Sequence, residues 1–249
     1  MVDRNELLDT CLLAGRIMIE GGSEMYRVED TMTRIVNNAG ENDAVIFSTP
    51  TGIFAGIRNE PYMQLRQIST RDIDMERIAR VNSLSRQFAE HKITLSQLHT
   101  ALAHLDNNIP YFPMWMQILG AAVLSALLMV IFTQQYDWYD IPLAGVAGAV
   151  GFAVAVYVRH LAKIKFVSEL TGSLALALTA LLGVRLGLGH NIDNILIGAV
   201  MPLVPGVAIT NSIRDLLAGH LLTGMARGME AILTASAIGF GIAVVISMG

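Results

Sequence analysis

The sequence predicts a membrane α-helical protein: a cytoplasmic α+β N-terminal domain followed by a five-helix transmembrane domain. Three observations lead there. The 249 residues are 53% hydrophobic and only 15% charged, with a mean hydropathy of +0.51, whereas soluble domains carry about 25% charged residues. The deficit is uneven: residues 1–110 hold 11 of the 17 Lys and Arg and 15 of the 21 Asp and Glu, and residues 111–249 hold six of each. Beyond residue 110 the apolar runs reach about 20 residues, enough to cross a hydrocarbon core of about 30 Å. The domains are therefore expected at 1–110 and 111–249.

In the first domain, Asp3 and Glu6 have capping-box spacing ahead of an apolar-periodic run, which predicts a helix over 4–19. Gly21-Gly22 breaks it. Ser23 is placed to cap a second helix, with Val28, Met32, Ile35 and Val36 on one face. Alternating segments at 44–48, 52–57 and 63–68 predict three strands, with turns at Pro50 and at Asn59-Glu60-Pro61. Asp72 is expected to start a third helix, with Ile78, Val81 and Phe88 inward. Thr94 or Ser96 caps a fourth, with Leu95, Leu98, Leu102 and Leu105 on its face. Cys11 shares apolar spacing with Leu7, Ala14 and Met18, so it reads as a core thiol; as the one cysteine it excludes an intrachain disulfide.

Asn107-Asn108-Ile109-Pro110 ends this domain. Spans are predicted at 113–133, 141–158, 166–188, 192–211 and 229–248. Gly145, Gly148 and Gly151 give the second a face for close helix packing. Trp115, Trp138 and Tyr139 lie at span ends, where amphipathic rings favour the headgroup layer. The 134–140 connector has no Lys or Arg, while Arg159, Lys163 and Lys165 fill the next, and Arg214 and Arg227 flank the last. The positive-inside rule then puts the N-terminus in the cytoplasm and the C-terminus outside. The polar Met1–Thr10 stretch lacks the apolar segment of a secretory signal.

Chemistry is expected first at 201–215. Pro202, Pro205 and Gly206 remove donors and break the helix ladder of the fourth span. Broken backbone at membrane depth is tolerated where it is buried in protein or lines a polar cavity, and broken helices form substrate sites in secondary transporters. The plain alternative is a structural kink. Thr210, Asn211, Arg214 and Asp215 follow at once, which favours a site. Neighbours at i,i+1 do not face each other on a helix, so Arg214 and Asp215 should find separate partners. Arg214 reads either as a carboxylate-binding group or as an interfacial snorkelling arginine. Glu169, one turn into its span, is the candidate coupling carboxylate.

In the front domain Ser23, Glu24, Tyr26 and Arg27 surround a helix start. A serine nucleophile needs a base and an oxyanion hole; no nucleophile elbow, phosphate loop or metal-ligand spacing is present in the sequence. No catalytic set, metal or cofactor is expected. A net charge of −4 without a basic stripe argues against nucleic acid.

Two stretches carry a resemblance to a known family. They are Gly22-Ser23-Glu24-Met25-Tyr26-Arg27-Val28-Glu29 and Pro205-Gly206-Val207-Ala208-Ile209-Thr210-Asn211-Ser212-Ile213-Arg214-Asp215, the latter continued by Gly219-His220 and Gly224-Met225-Ala226-Arg227. With the order of soluble domain then five spans, the chain resembles the N-terminal half of threonine/serine exporters of the ThrE type and the small bacterial proteins that carry this half alone. The resemblance implies export of L-threonine and L-serine across a bacterial inner membrane. It also implies a partner, a second small multi-span subunit resembling the family's C-terminal half, in a homo- or hetero-oligomer. His220 stands where an acidic residue is common, and Gly-His is similar to split members linked to succinate export. Two other readings stay open: a sensory or regulatory subunit that binds a metabolite in front, and a membrane-anchored hydrolase.

Overall fold

The computed structural model describes residues 3–58, 63–69, 72–107, 112–134, 137–162 and 165–248. The expected turn at 59–61, the boundary at 108–110, part of the 134–140 connector, Lys163 and both terminal residues lie outside them. The chain divides into two compact units, one of Met1–Pro110 with Val207–Gly228 and one of Tyr111–Gly206 with Met229–Gly249.

The first unit begins with α1 (Arg4–Glu20), capped by the Asp3 carboxylate, which accepts from the Asn5 amide at 3.0 Å. Its C-terminus closes as a Schellman motif: Gly22 donates to the Ile19 carbonyl and Ser23 to the Met18 carbonyl. Gly22 sits at φ +85°, and a Cβ there would stand 2.9 Å from the Asp72 carbonyl oxygen. The next helix, α2 (Met25–Asn38), buries Val28, Met32, Ile35 and Val36 as the periodicity predicts. Ser23 is not its cap. Glu24 holds that position without a side-chain bond to the helix, because its carboxylate is engaged elsewhere.

Strands β1 (Ala44–Thr49), β2 (Gly52–Ile57) and β3 (Met63–Gln67) form an antiparallel sheet in that order, with Phe47, Phe54 and Leu65 in register. Ile53, Ala55 and Ile57 enter the core. The third helix, α3 (Met75–Ala89), starts at Asp74, which caps the Arg77 amide at 3.0 Å, rather than at Asp72. The Asp72 carboxylate instead accepts from the Ile73 amide at 2.9 Å, and the amides of Asp72 and Asp74 donate to the carbonyls of Glu20 and Gly21, fixing this segment against the end of α1. For α4 (Leu95–Asn107) the cap is Thr94, in a reciprocal box with Gln97 at 2.8 and 3.3 Å. One core joins these elements, including Leu7, Leu8, Ile17, Met32, Leu98 and Leu102. Cys11 is fully buried in it, and burial pushes its thiol far above the ordinary range.

The second unit contains α5 (Met114–Thr133), α6 (Asp140–Ala162), α7 (Lys165–Arg185), α8 (Ile192–Val200) with a 3-10 turn at Met201–Leu203, and the later part of α10 (Leu221–Ile246). Between α8 and α10 in the chain lies α9 (Gly206–Leu217). Four helices are long and apolar enough to cross a membrane, or five if the bent pair Ile192–Leu203 and Gly206–Leu217 is one span. The glycines of α6 make it the central helix of this unit, as expected from their spacing. A Cβ on Gly151 would meet the Gly172 carbonyl of α7 at 3.0 Å, and one on Gly172 would meet the Gly151 carbonyl at 2.8 Å. Backbones this close exchange side-chain bulk for dispersion contact along the helices.

Candidate functional site

Proline and glycine build the site locally. Pro205 has no amide to donate, so the ladder stops there, and the Gly206 amide turns back to the Val204 carbonyl at 2.8 Å. From Gly206 the chain re-enters α9, which ends at a second Schellman turn: Gly219 (φ +89°) donates to Leu216, and His220 donates to the Asp215 carbonyl at 2.8 Å. The next helix begins at once, at Leu221 rather than near 229. Gly224 lets it lie tight on α9, since a Cβ there would reach the Leu216 Cγ at 2.6 Å. Ser212 Oγ donates to the Gly224 carbonyl at 2.7 Å. A helical hairpin results, in which Asn211, Arg214 and Asp215 share one face at i, i+3 and i+4.

That face meets the start of α2 in the same unit. The Met25 amide, one of the orphan donors of a helix N-terminus, donates to Asp215 Oδ1 at 2.9 Å. The other Asp215 oxygen accepts from Arg227 at 2.8 Å. Arg227 also donates to the Ser23 carbonyl at 2.7 Å. Asn211 donates its side-chain amide to the Gly22 carbonyl at 2.8 Å, and Arg214 pairs with Glu24 at 2.6 Å. Arg27 reaches the other Glu24 oxygen at 3.2 Å. Asp215 is fully buried, and Glu24, Asn211 and Arg227 are nearly so. Burial works to raise the Glu24 pKa; its own backbone amide and the Arg214 and Arg27 guanidiniums outweigh that and hold it below the usual carboxylate range.

The network joins two groups of expected site residues: Ser23, Glu24 and Arg27 from the front, and Asn211, Arg214 and Asp215 from the broken segment. Tyr26 lies beside it, its ring under Arg27. Thr210 is exposed on the same helix. Pro205 and Gly206 fall in the second unit, as does Glu169, where a buried carboxylate pairs with Arg159 at 2.6 Å and accepts from Ser168 at 2.8 Å. Arg214 and Asp215 do have separate partners, as their adjacency requires. The Ser23 hydroxyl reaches the Glu24 carbonyl at 3.4 Å, its one partner among the described residues. Sequence reasoning missed Arg227 as an Asp215 ligand; a charge flanked by Gly224 and Gly228 at the head of an apolar helix is the signal that marks it.

One group in the second unit has the make-up of a cation site, which spacing alone did not suggest. Asp137, Asp140 and His190 bring one ligand atom each within 4.8 Å of one another. Asp140 already staples the loop, accepting from the His190 and Asn191 amides at 2.6 and 3.0 Å, and His190 stacks on Tyr139 at 4.3 Å. Asp137 in turn accepts from the Tyr139 amide at 3.0 Å, so each of the three has a structural contact.

Comparison with known proteins gives two findings. The ThrE family, described as "Putative threonine/serine exporter", matches residues 9–249. A protein of Mycobacterium tuberculosis named "Probable threonine/serine exporter" is 23% identical over 241 residues, covering 95% of this chain and 45% of its own length. The chain thus spans about half the length of that relative. No solved structure matches.

Proposed function

Since the chain belongs to the threonine/serine exporter (ThrE) family, we propose that it forms part of a secondary transporter exporting a small polar metabolite across the cytoplasmic membrane of a bacterium. Threonine and serine are the first candidates, after the family, and a C4-dicarboxylate such as succinate is the second, after Gly219-His220. The first unit's front helices face the cytoplasm in this reading, and the C-terminus lies outside. The remaining spans come from a membrane segment resembling the other half of the longer relative, in a homo- or hetero-oligomer.

The observation that carries the reading is the interrupted helix running directly into a buried polar network. Half-helix ends and unwound backbone form ligand sites in transporters. We assign Pro205, Gly206, Thr210, Asn211, Arg214 and Asp215 to the substrate path, with Glu169 as the coupling carboxylate. Arg214 and Asn211 now hold Glu24's carboxylate and Gly22's carbonyl. A substrate carboxylate is a direct competitor for the same donors. The network is thus a latch: closed on the chain's own groups, and opened as substrate replaces Glu24.

The test is efflux from proteoliposomes holding this chain, alone and with the second half of the transporter, loaded in turn with labelled threonine, serine and succinate. Saturable efflux of one of them, only with both halves, is expected. Absence of efflux with both proteins folded would reject the transport reading.

A further inference from the structure

A groove of about 300 Å³ runs along α2 and α3 of the first unit. Thr31 and Ser85 are its buried parts, and Asn82 is half-buried beside them. Three guanidiniums line it, from Arg27, Arg34 and Arg86, against the single carboxylate of Asp30. Asp30 is already taken by Arg34 at 3.0 Å. The Arg86 guanidinium interacts electrostatically with the exposed Glu90 one turn along α3 but hydrogen-bonds no side chain among the described residues. Thr31 donates its hydroxyl to the Asn82 side-chain oxygen at 3.3 Å, and the Asn82 amide donates to no acceptor among the described residues. Spare cationic and neutral donors therefore converge where acceptors are already used.

We propose that this groove binds a small carboxylate metabolite, and that Arg27 transmits its occupancy to Glu24 and so to the network at Asp215. A carboxylate fits the planar fork of Arg86, with Asn82 as the neutral donor. The volume lies at the lower end of small-molecule clefts. Arg27 is the shared element: it lines the groove and also holds Glu24 at 3.2 Å. A ligand that draws Arg27 away leaves Glu24 to Arg214 alone, so occupancy and the latch are thermodynamically linked, each changing the other by the same factor. Binding at this groove needs no transport and does not rest on the export reading.

The full-length chain in detergent is titrated calorimetrically with succinate, L-threonine and inorganic phosphate as separate probes. Saturable binding of succinate or threonine is expected. Arg86→Gln and Arg27→Gln should each weaken it about tenfold or more, the loss typical of one charge-assisted contact. Arg80→Gln, an exposed arginine paired with Glu76, should leave it unchanged. Glu24→Gln should tighten it by releasing Arg27, a gain that a purely structural role for Glu24 would not give. Four results would overturn the proposal. They are no saturable binding by any probe to the folded chain, affinity unmoved by Arg86→Gln, equal loss in Arg80→Gln, and phosphate competing as well as either carboxylate.

Discussion

Asp215 has both carboxylate oxygens committed, one to the Met25 amide and one to Arg227, with no exposure to water. Removing it takes a carboxylate from the buried Arg227 guanidinium and reopens an orphan amide at the start of α2. Asp215→Ala should therefore cost about 3–5 kcal/mol, the range for breaking a buried pair on one side, visible as a lower thermal midpoint in detergent. Asp215→Asn keeps an acceptor for Met25 and should cost less; equal losses in both variants would deny the amide any part. Glu24 adds a pH dependence with a definite sign. Its carboxyl is depressed in the folded chain relative to 4.5, so its contribution is full above that value. It is lost as pH falls through the lower folded pKa. Acid titration of thermal stability should show a step below pH 4.5 that Glu24→Gln removes. At this scale the sequence made each residue type legible and left the pairings hidden. Ser23–Arg27 and Thr210–Asp215 read as two separate motifs because nothing local links positions 190 residues apart.

Elements were more legible than residues, and the failures share a cause. The three strands and the core faces of α2 and α4 follow from period and turn chemistry, which are local. Helix starts fail where a distant group overrides the local cap. Ser23 yields to Glu24 and to Asp215 from α9, and Asp72 yields to Asp74 because bonds from both residues to the end of α1 keep 72–74 out of the helix. The early start of α10 was obscured by Arg227, whose charge resembles a connector until Asp215 is placed beside it. Two substitutions test element packing. Gly198→Ala places a Cβ 2.6 Å from the Ser125 carbonyl oxygen and 2.6 Å from Met129 Cβ. Backbone on one side cannot yield, so a loss of about 1–3 kcal/mol is expected from overpacking α8 on α5. Thr94→Ala should cost about 1 kcal/mol through loss of the α4 cap, with melting unchanged if the Thr94–Gln97 box is irrelevant.

For the whole molecule, the apolar runs identify its membrane character, while hydropathy gives no sign that residues 207–228 belong with the front helices in one compact unit. That membership follows from polar contacts among Gly22, Ser23, Glu24 and the α9–α10 hairpin. It is the basis for reading the network as a latch in an export cycle. The most direct test is a charge swap measured as efflux of the transported substrate from proteoliposomes. Glu24→Arg and Arg214→Glu should each abolish efflux, the first by setting a cation against Arg27 and Arg214 and the second by setting two anions together. The double variant should recover part of the lost thermal midpoint, because the 24–214 pair is re-formed, but not efflux, because position 214 no longer offers a donor to a substrate carboxylate. Efflux untouched by either single substitution, in protein that inserts and folds normally, would contradict the latch.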